Sequence, residues 1–381
     1  MWLDDHRPFT HEAPASERRP ADKAYQPFSI GAVDIAGHAC PVTEEIGGYL
    51  PFGRLRTFSR APANAVAAQG ARRRVLVVAP MAGGFPFLMR DLVVALLTIA
   101  DEVAITDWPD ARHVPLEAGR FGFAENALET TQMIRALGHK TMAFTHVVGV
   151  CQGTVPALVG SLLLSELGAP PASLTLVGGP IDPSRNPTRL WRMLQGRSLE
   201  ALRQEVLEAV PPPFAGAGRL VFPAWRQTDT FALYLWRQTM SGGRLPLQLA
   251  FDEGADPYRF PLARLCWTLM DVPGDFFMEN VATIFCANAL ARGTLDIAGH
   301  RVEPARLERT ALLTVEGDED DISALTQTEA AHDLCANVPE ALRRHLVVPR
   351  AGHFALFYGR AMRTHIIPAL ADIMAAGEGA R

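Results

Sequence analysis

The chain has 381 residues, 48% of them hydrophobic, with 36 basic against 41 acidic side chains and a formal net charge of −5. That length and apolar content suffice for one large domain with an insertion, or for two domains. The acidic balance speaks against nucleic acid as the main partner, and no apolar run approaches the length of a membrane span.

Residues 1–25, rich in Pro, Ala and charge, read as a flexible tail. Their start, Met1-Trp-Leu-Asp-Asp-His-Arg7, lacks the hydrophobic region of a secretion signal, so a cytoplasmic protein is expected. Next, Phe28–Ile35 is expected to pair with a strand near Leu55–Phe58. Strands Val75–Ala79, Val103–Thr106, His146–Val150 and Leu174–Val177 then alternate with helices Phe87–Ile99, Asn126–Leu137 and Thr154–Leu167. Such alternation predicts an α/β fold, a mostly parallel sheet covered by helices on both faces. The pattern breaks after Pro180. Residues 182–300 read as a mostly helical cap insertion, containing Trp191, Trp225, Phe231, Tyr234, Trp236 and Trp267. Strands Ala311–Val315 and His345–Pro349 resume the alternation, so 26–181 and 301–381 form the core. The five cysteines, Cys40, Cys151, Cys266, Cys286 and Cys335, lack metal-site spacing, and all but Cys151 read as reduced structural thiols.

Between the third strand and its helix lies Gly149-Val150-Cys151-Gln152-Gly153. Gly-x-Nuc-x-Gly at a strand–turn–helix junction is a nucleophile elbow, here with cysteine where serine is usual. Small flanking residues let strand and helix approach closely, and the helix N-terminus favours thiolate, the reactive form. Alone, such a pentapeptide is weak, because most cysteines are small buried hydrophobes. It gains weight if an acid and then a histidine follow, each just past the end of a core strand. The strand at Ala311–Val315 leads into Glu316-Gly-Asp-Glu-Asp-Asp321, where Asp320 is the first choice of acid and Asp318 and Asp321 are reserves. The strand at His345–Pro349 leads to His353. That imidazole would take the thiol proton on one ring nitrogen while Asp320 fixes its tautomer through the other. An acidic loop is usually solvated surface and a single histidine usually structural, but three matches in order are harder to explain so. For the oxyanion of acyl transfer, one donor is the backbone N–H of Gln152. The other lies in Pro80-Met-Ala-Gly-Gly84, where Ala82 is chosen and Met81 held in reserve. Such thiol chemistry requires no metal or organic cofactor.

In Val75–Leu92, Ile105–Phe121, Gly149–Gly153, Gly178–Trp191, Leu313–Cys335 and Gly352–Ala361 the chain resembles the intracellular polyhydroxyalkanoate (polyhydroxybutyrate) depolymerases. The likeness runs from about residue 75 to the C-terminus. It is specific in the acidic loop and in Asp107-Trp-Pro-Asp-Ala-Arg112, neither of which is a general hydrolase feature. The resemblance implies an α/β-hydrolase fold, with Cys151, Asp320 and His353 as nucleophile, acid and base. It further implies cleavage of ester bonds in amorphous 3-hydroxyalkanoate polymer, with the polymer or its granule as partner. One departure is Gly153, where proline commonly follows Cys-Gln in the family.

Substrate contacts are sought at Met81, Trp108, Trp225 and Trp236. For the aromatics of Phe222–Arg237 the simpler reading is a small cap core, and the alternative a groove that grips polyester. Around Trp108 the simpler reading is an Asp–Arg pair that holds the loop. A polyhydroxyalkanoate synthase is the rival activity, since the triad is indifferent to which oxygen accepts the acyl group. The flanking stretches Asp107–Phe121 and Gly317–Cys335 resemble the depolymerases instead. A non-catalytic granule-binding protein on this fold would be expected to have a broken triad. Oligomeric state is not legible in the chain.

Overall fold

The computed structural model describes residues 28–62, 72–82, 89–138, 143–228 and 269–380, together with Arg7, Phe9 and Thr10. Runs rich in Val, Ile and Leu, too apolar to face water, build its centre as strands. In chain order these are β1 (Ala32–Ile35), β2 (His38–Leu50), β3 (Gly53–Arg60), β4 (Arg72–Val78), β5 (Glu102–Asp107), β6 (Ala143–Val150), β7 (Ser173–Val177), β8 (Ala311–Gly317) and β9 (Arg343–Val348). They form one nine-stranded sheet in the order β1-β2-β3-β5-β4-β6-β7-β8-β9. From β5 to β9 every neighbouring pair is parallel, and β1 to β3 add an antiparallel ribbon on one side. Among the described residues the α-helices of six residues or more are α1 (Arg90–Leu96), α2 (Phe123–Gly138), α3 (Thr154–Glu166), α4 (Arg189–Leu194), α5 (Leu199–Val206), α6 (Gly274–Asn280) and α7 (Ile367–Gly379).

Alternate residues of the central strands feed two separate cores, as the period of two in a strand requires. Leu76, Val78, Val147, Leu174 and Leu312 pack with Leu128 and Ile134 of α2 and Leu158 and Leu162 of α3. Val75, Val77, Val148, Val150, Leu313 and Val315 pack on the other face with Leu92 and Leu96 of α1 and Leu370 and Met374 of α7. Each such side chain contributes roughly 1.5–3 kcal/mol when buried, so the parallel strands are fixed from both sides.

The N-terminal ribbon departs from the sequence expectation. Phe28–Ile35 does not pair with Leu55–Phe58; the 13-residue β2 lies between them, and β1 pairs with β2 alone. Polar residues break the apolar pattern of β2, whose Thr43-Glu44-Glu45 sits on a half-exposed edge ribbon. Glu44 also works inward. It accepts from the Phe28 amide and pairs with Arg56, which with Arg54 meets the buried Asp107 at the end of β5.

Between β7 and β8 the described residues include helices α4, α5 and α6. They also include an antiparallel three-stranded sheet of Glu208–Ala209, Leu220–Phe222 and Val272–Pro273. Helix α6 runs on into a π-helical turn over Val281–Cys286. The expected aromatics Phe231, Tyr234, Trp236 and Trp267 lie outside the described residues, as does Cys266. Among the described residues no helix is long and apolar enough to cross a membrane.

At the lower edge of the sheet Ser173 and Glu378 flank the fully buried His146 through its Nδ1 and Nε2, at 2.9 and 3.3 Å. Burial opposes the charge on Glu378, but hydrogen bonds from His146 and Arg73 hold it down at about 2, so α7 is latched to the sheet by an ion pair. Glu129 of α2 is the opposite case. Fully buried, it is pushed up to about 8 by desolvation, which Arg7 at 3.7 Å only partly offsets. The native chain therefore keeps a proton on Glu129 that the unfolded chain surrenders near the ordinary glutamate value of 4.5, and stability falls as pH rises from there to about 8. Glu129→Gln is expected to remove that slope and to stabilise the protein above pH 8 by a few kcal/mol, on the order set by the shift. Urea melts of both proteins between pH 5 and 9 check this, and parallel pH profiles would refute it.

Candidate active site

Close packing around Cys151 makes its turn. Val150 ends β6 in extended geometry, Cys151 takes φ of +51°, and α3 starts at Thr154. Positive φ in a non-glycine residue costs about 1–2 kcal/mol and persists only where surroundings enforce it. Here they do. A Cβ on Gly153 would fall on the Val78 carbonyl, and one on Gly149 would meet the Ala157 Cβ at 2.7 Å. The Thr154 hydroxyl donates to the Cys151 carbonyl at 2.7 Å and closes the turn. The thiol is half-buried at the carboxyl ends of the parallel strands, the end at which α/β sheets bind ligands.

The loops after β8 and β9 meet at the same end. His353 Nδ1 lies 2.7 Å from Asp320 Oδ2, and both residues are buried, at 1% and 6% exposure. The other Asp320 oxygen accepts the backbone N–H groups of Ile322 and Ser323, both at 2.9 Å, which fixes the carboxylate. Gly178, after β7, completes the nook. It has φ of +55°, and a Cβ there would crowd Leu356 at 2.9 Å and touch Asp320 and His353. Burial alone would lower the proton affinity of His353. The charges of Asp320 and Cys151 outweigh it and hold the imidazole well above its ordinary range, with the Asp320 hydrogen bond adding to the effect. Cys151, Asp320 and His353 therefore converge. The reserves do not: Asp318 instead accepts from the Ala351 amide at 3.2 Å, and Asp321 is exposed.

Around the expected oxyanion donors the structure adds a residue that sequence reasoning used only for its backbone. The amides of Met81 and Ala82 both donate to Oε1 of the Gln152 side chain, at 3.1 and 3.2 Å. Both amides, that of Ala82 chosen for the oxyanion and that of its reserve Met81, are thus engaged by a side chain in the structure. Trp108 is corrected more fully. Its indole is buried, donates to the Ala79 carbonyl at 2.8 Å and packs near Phe121, so it supports the loop from the core side. Arg112 does hold that loop, pairing with Asp110 at 3.2 Å as expected, and it adds a bidentate pair with Asp271, at 2.8 and 3.1 Å, across the insertion. Burial, then the Asp271 charge, raises Asp110 beside them to about 6. Met81 is buried, Trp225 is half-exposed on the insertion with Glu208 on its indole N–H, and Trp236 lies outside the described residues.

A family model described as PHB de-polymerase C-terminus matches residues 178–378, more than half of the chain. The chain belongs to this family. Membership in the PHB depolymerase family makes it an ester hydrolase. No curated protein matches the sequence. Among solved structures, an open-form lipase is similar over 88% of this chain and 99% of its own, with a TM-score of 0.53 at 13% identity. A hypothetical protein from Pseudomonas aeruginosa covers 93% of this chain and 96% of its own, with a TM-score of 0.49 at 11% identity. The peroxisomal alpha-beta-hydrolase of Saccharomyces cerevisiae covers 90% and 88%, with a TM-score of 0.45 at 13% identity. The lipase likeness is one of fold alone. That fold is the α/β-hydrolase fold, in agreement with the sheet order described above.

Elsewhere in this depolymerase-family chain, Glu316, Glu329 and His345 bring ligand atoms within 4.8 Å of one another. The Glu316 carboxylate is already filled by the amides of Thr326, Thr328 and Glu329, which it holds in their loop. Glu316 therefore has a structural role in that loop.

Two outcomes follow from the geometry alone. Gly153→Ala is expected to lower the thermal midpoint by several degrees, since its methyl group meets backbone that cannot move aside; calorimetry reads this. Asp320→Asn is expected to let His353 lose its proton at a lower pH, whereas Asp318→Asn leaves the titration in place. Imidazole NMR titrations distinguish them, and equal effects would refute the pairing.

Proposed function

We propose that the chain is an intracellular depolymerase that hydrolyses ester bonds of amorphous poly(3-hydroxybutyrate)-type polymer through a Cys151–His353–Asp320 triad. One observation carries the triad: a thiol on a positive-φ turn next to a buried histidine whose other nitrogen is held by a fixed carboxylate. The polymer is proposed from family membership. The acidic loop and Asp107–Arg112, where the resemblance is most specific, favour hydrolysis over the synthase reading.

The steps follow from the positions. His353 Nε2 takes the Cys151 proton, and the sulfur attacks the ester carbonyl carbon. The oxyanion is met by the Gln152 backbone N–H and an amide of the Met81–Ala82 turn, each such donor typically worth about 3 kcal/mol. Collapse expels the chain fragment as an alcohol, which takes the proton from His353 and leaves a thioester on Cys151. Water then gives its proton to His353 and its oxygen to the carbonyl carbon. The 3-hydroxyacid or oligomer departs, and the proton returns to sulfur. Asp320 keeps the imidazole in the required tautomer and stabilises its positive charge. Residues 182–300 are assigned as the cap, with Trp225 on its surface as a contact for polymer or granule.

The test compares wild type with Cys151→Ala on amorphous polyhydroxybutyrate granules and on 3-hydroxybutyryl-coenzyme A. Acid or oligomer release from granules, reduced at least a thousandfold in the variant, is the expected result. Coenzyme A release with polymer growth would replace hydrolase by synthase, and full activity in Cys151→Ala would remove the thiol from the mechanism.

A further inference from the structure

The Gln152 side chain lies where no part of the proposed mechanism uses it. Its Oε1 receives two consecutive backbone amides, Met81 at 3.1 Å and Ala82 at 3.2 Å. Two successive N–H groups aimed at one point form a cradle for a carbonyl or anionic oxygen. The cradle follows β4, directly beside the elbow: β4 pairs with β6 from Arg72 to Val78, and Gly153 rests on the Val78 carbonyl. It is thus built to receive an oxygen beside Cys151, and in the empty protein that oxygen belongs to the neighbouring residue.

We propose that the Gln152 carboxamide is an internal stand-in for the substrate carbonyl, occupying the donors until an ester displaces it and reoccupying them to expel the product. This rests on the thiol-hydrolase reading and adds a gate to it. The chemistry of the three competing oxygens supports the order of exchange. A neutral amide oxygen accepts hydrogen bonds better than an ester oxygen, so the gate closes on an empty site. An oxyanion accepts them more strongly than either, since charge roughly doubles such a bond, so the gate yields as the tetrahedral intermediate forms. The free carboxylate of a 3-hydroxyacid product would otherwise sit well in the same cradle. Gln152 is half-buried in the turn between β6 and α3, and the proposed gate opens by rotation about its side-chain torsions.

The alternative is a strut: Gln152 Oε1 merely pins the Met81–Ala82 turn, and the donors never open. Gln152→Met keeps length and loses the acceptor; Gln152→Glu keeps the reach and makes the acceptor anionic. With p-nitrophenyl butyrate, the gate predicts that kcat/KM rises on the order of tenfold in Gln152→Met, two modest hydrogen bonds no longer having to be broken. In Gln152→Glu it predicts a fall. Calorimetric titration with 3-hydroxybutyrate, which needs no turnover, is expected to show binding about tenfold tighter in Gln152→Met than in wild type. A lower kcat/KM in Gln152→Met together with unchanged 3-hydroxybutyrate binding would establish the strut and overturn the gate. Cys151→Ala run alongside separates the two readings: undiminished hydrolysis there would sink the thiol mechanism, whereas the calorimetry bears on the cradle alone.

Discussion

The approach of α3 to the ends of β4 and β6, with only hydrogen atoms between backbones at Gly149 and Gly153, is the constraint on which the site depends. It forces Cys151 into left-handed geometry and lifts its side chain clear of both elements. The cost is repaid by the packing of α3, whose residues from Thr154 to Leu164 are all buried. A looser junction would relax the turn and let the thiol sink into the core, where most cysteines reside. Cys335 shows that fate: desolvation pushes it up to about 12, which leaves it inert.

Around that fixed point the parallel strands act as a set of rails. They end at the same edge, and all but β5 deliver residues to the site: Met81 and Ala82 after β4, Cys151 after β6, Gly178 after β7, Asp320 after β8, His353 after β9. Asp320 and His353 come from neighbouring strands, so their separation is set by sheet spacing and two short loops. The opposite edge carries a histidine of different purpose. His146, sealed between Ser173 and Glu378, has partners much like those of a triad base but no route to a substrate. Burial without a cleft turns the same residue types into a fastening.

The parallel strands and helices were legible because uninterrupted apolar runs of the right length admit few alternatives, and the elbow because its glycines flank a lone cysteine. Asp320 was legible as one carboxylate among three. What singles it out is the pair of amides at Ile322 and Ser323, a matter of loop path that residue types do not reveal. Partners distant in sequence were out of reach for the same reason: Arg112 finds Asp271, and Asp107 finds Arg54 and Arg56. Trp108 misled because a tryptophan beside a site can be wall or foundation, and only its bond to the Ala79 carbonyl decides. β2 was missed because its polar face masks the period-two pattern. The Gln152 side chain gave no signal at all, since its meaning lies in two backbone amides some seventy residues earlier.

The insertion leaves the sheet at β7 and returns at β8, strands that pair directly, Ser173 with Ala311. During synthesis the chain therefore completes β1 to β7 and the elbow while the acid and the histidine are still unmade. For that interval β7 is an open edge, its backbone groups unpaired and its apolar face bare, the condition under which strands recruit the wrong neighbour. Closing so long a loop is entropically costly and slow relative to local pairing. Docking of β8 should then be the late, rate-setting event of folding, and Cys151 gains Asp320 and His353 as neighbours only when the chain from β8 onward has come home.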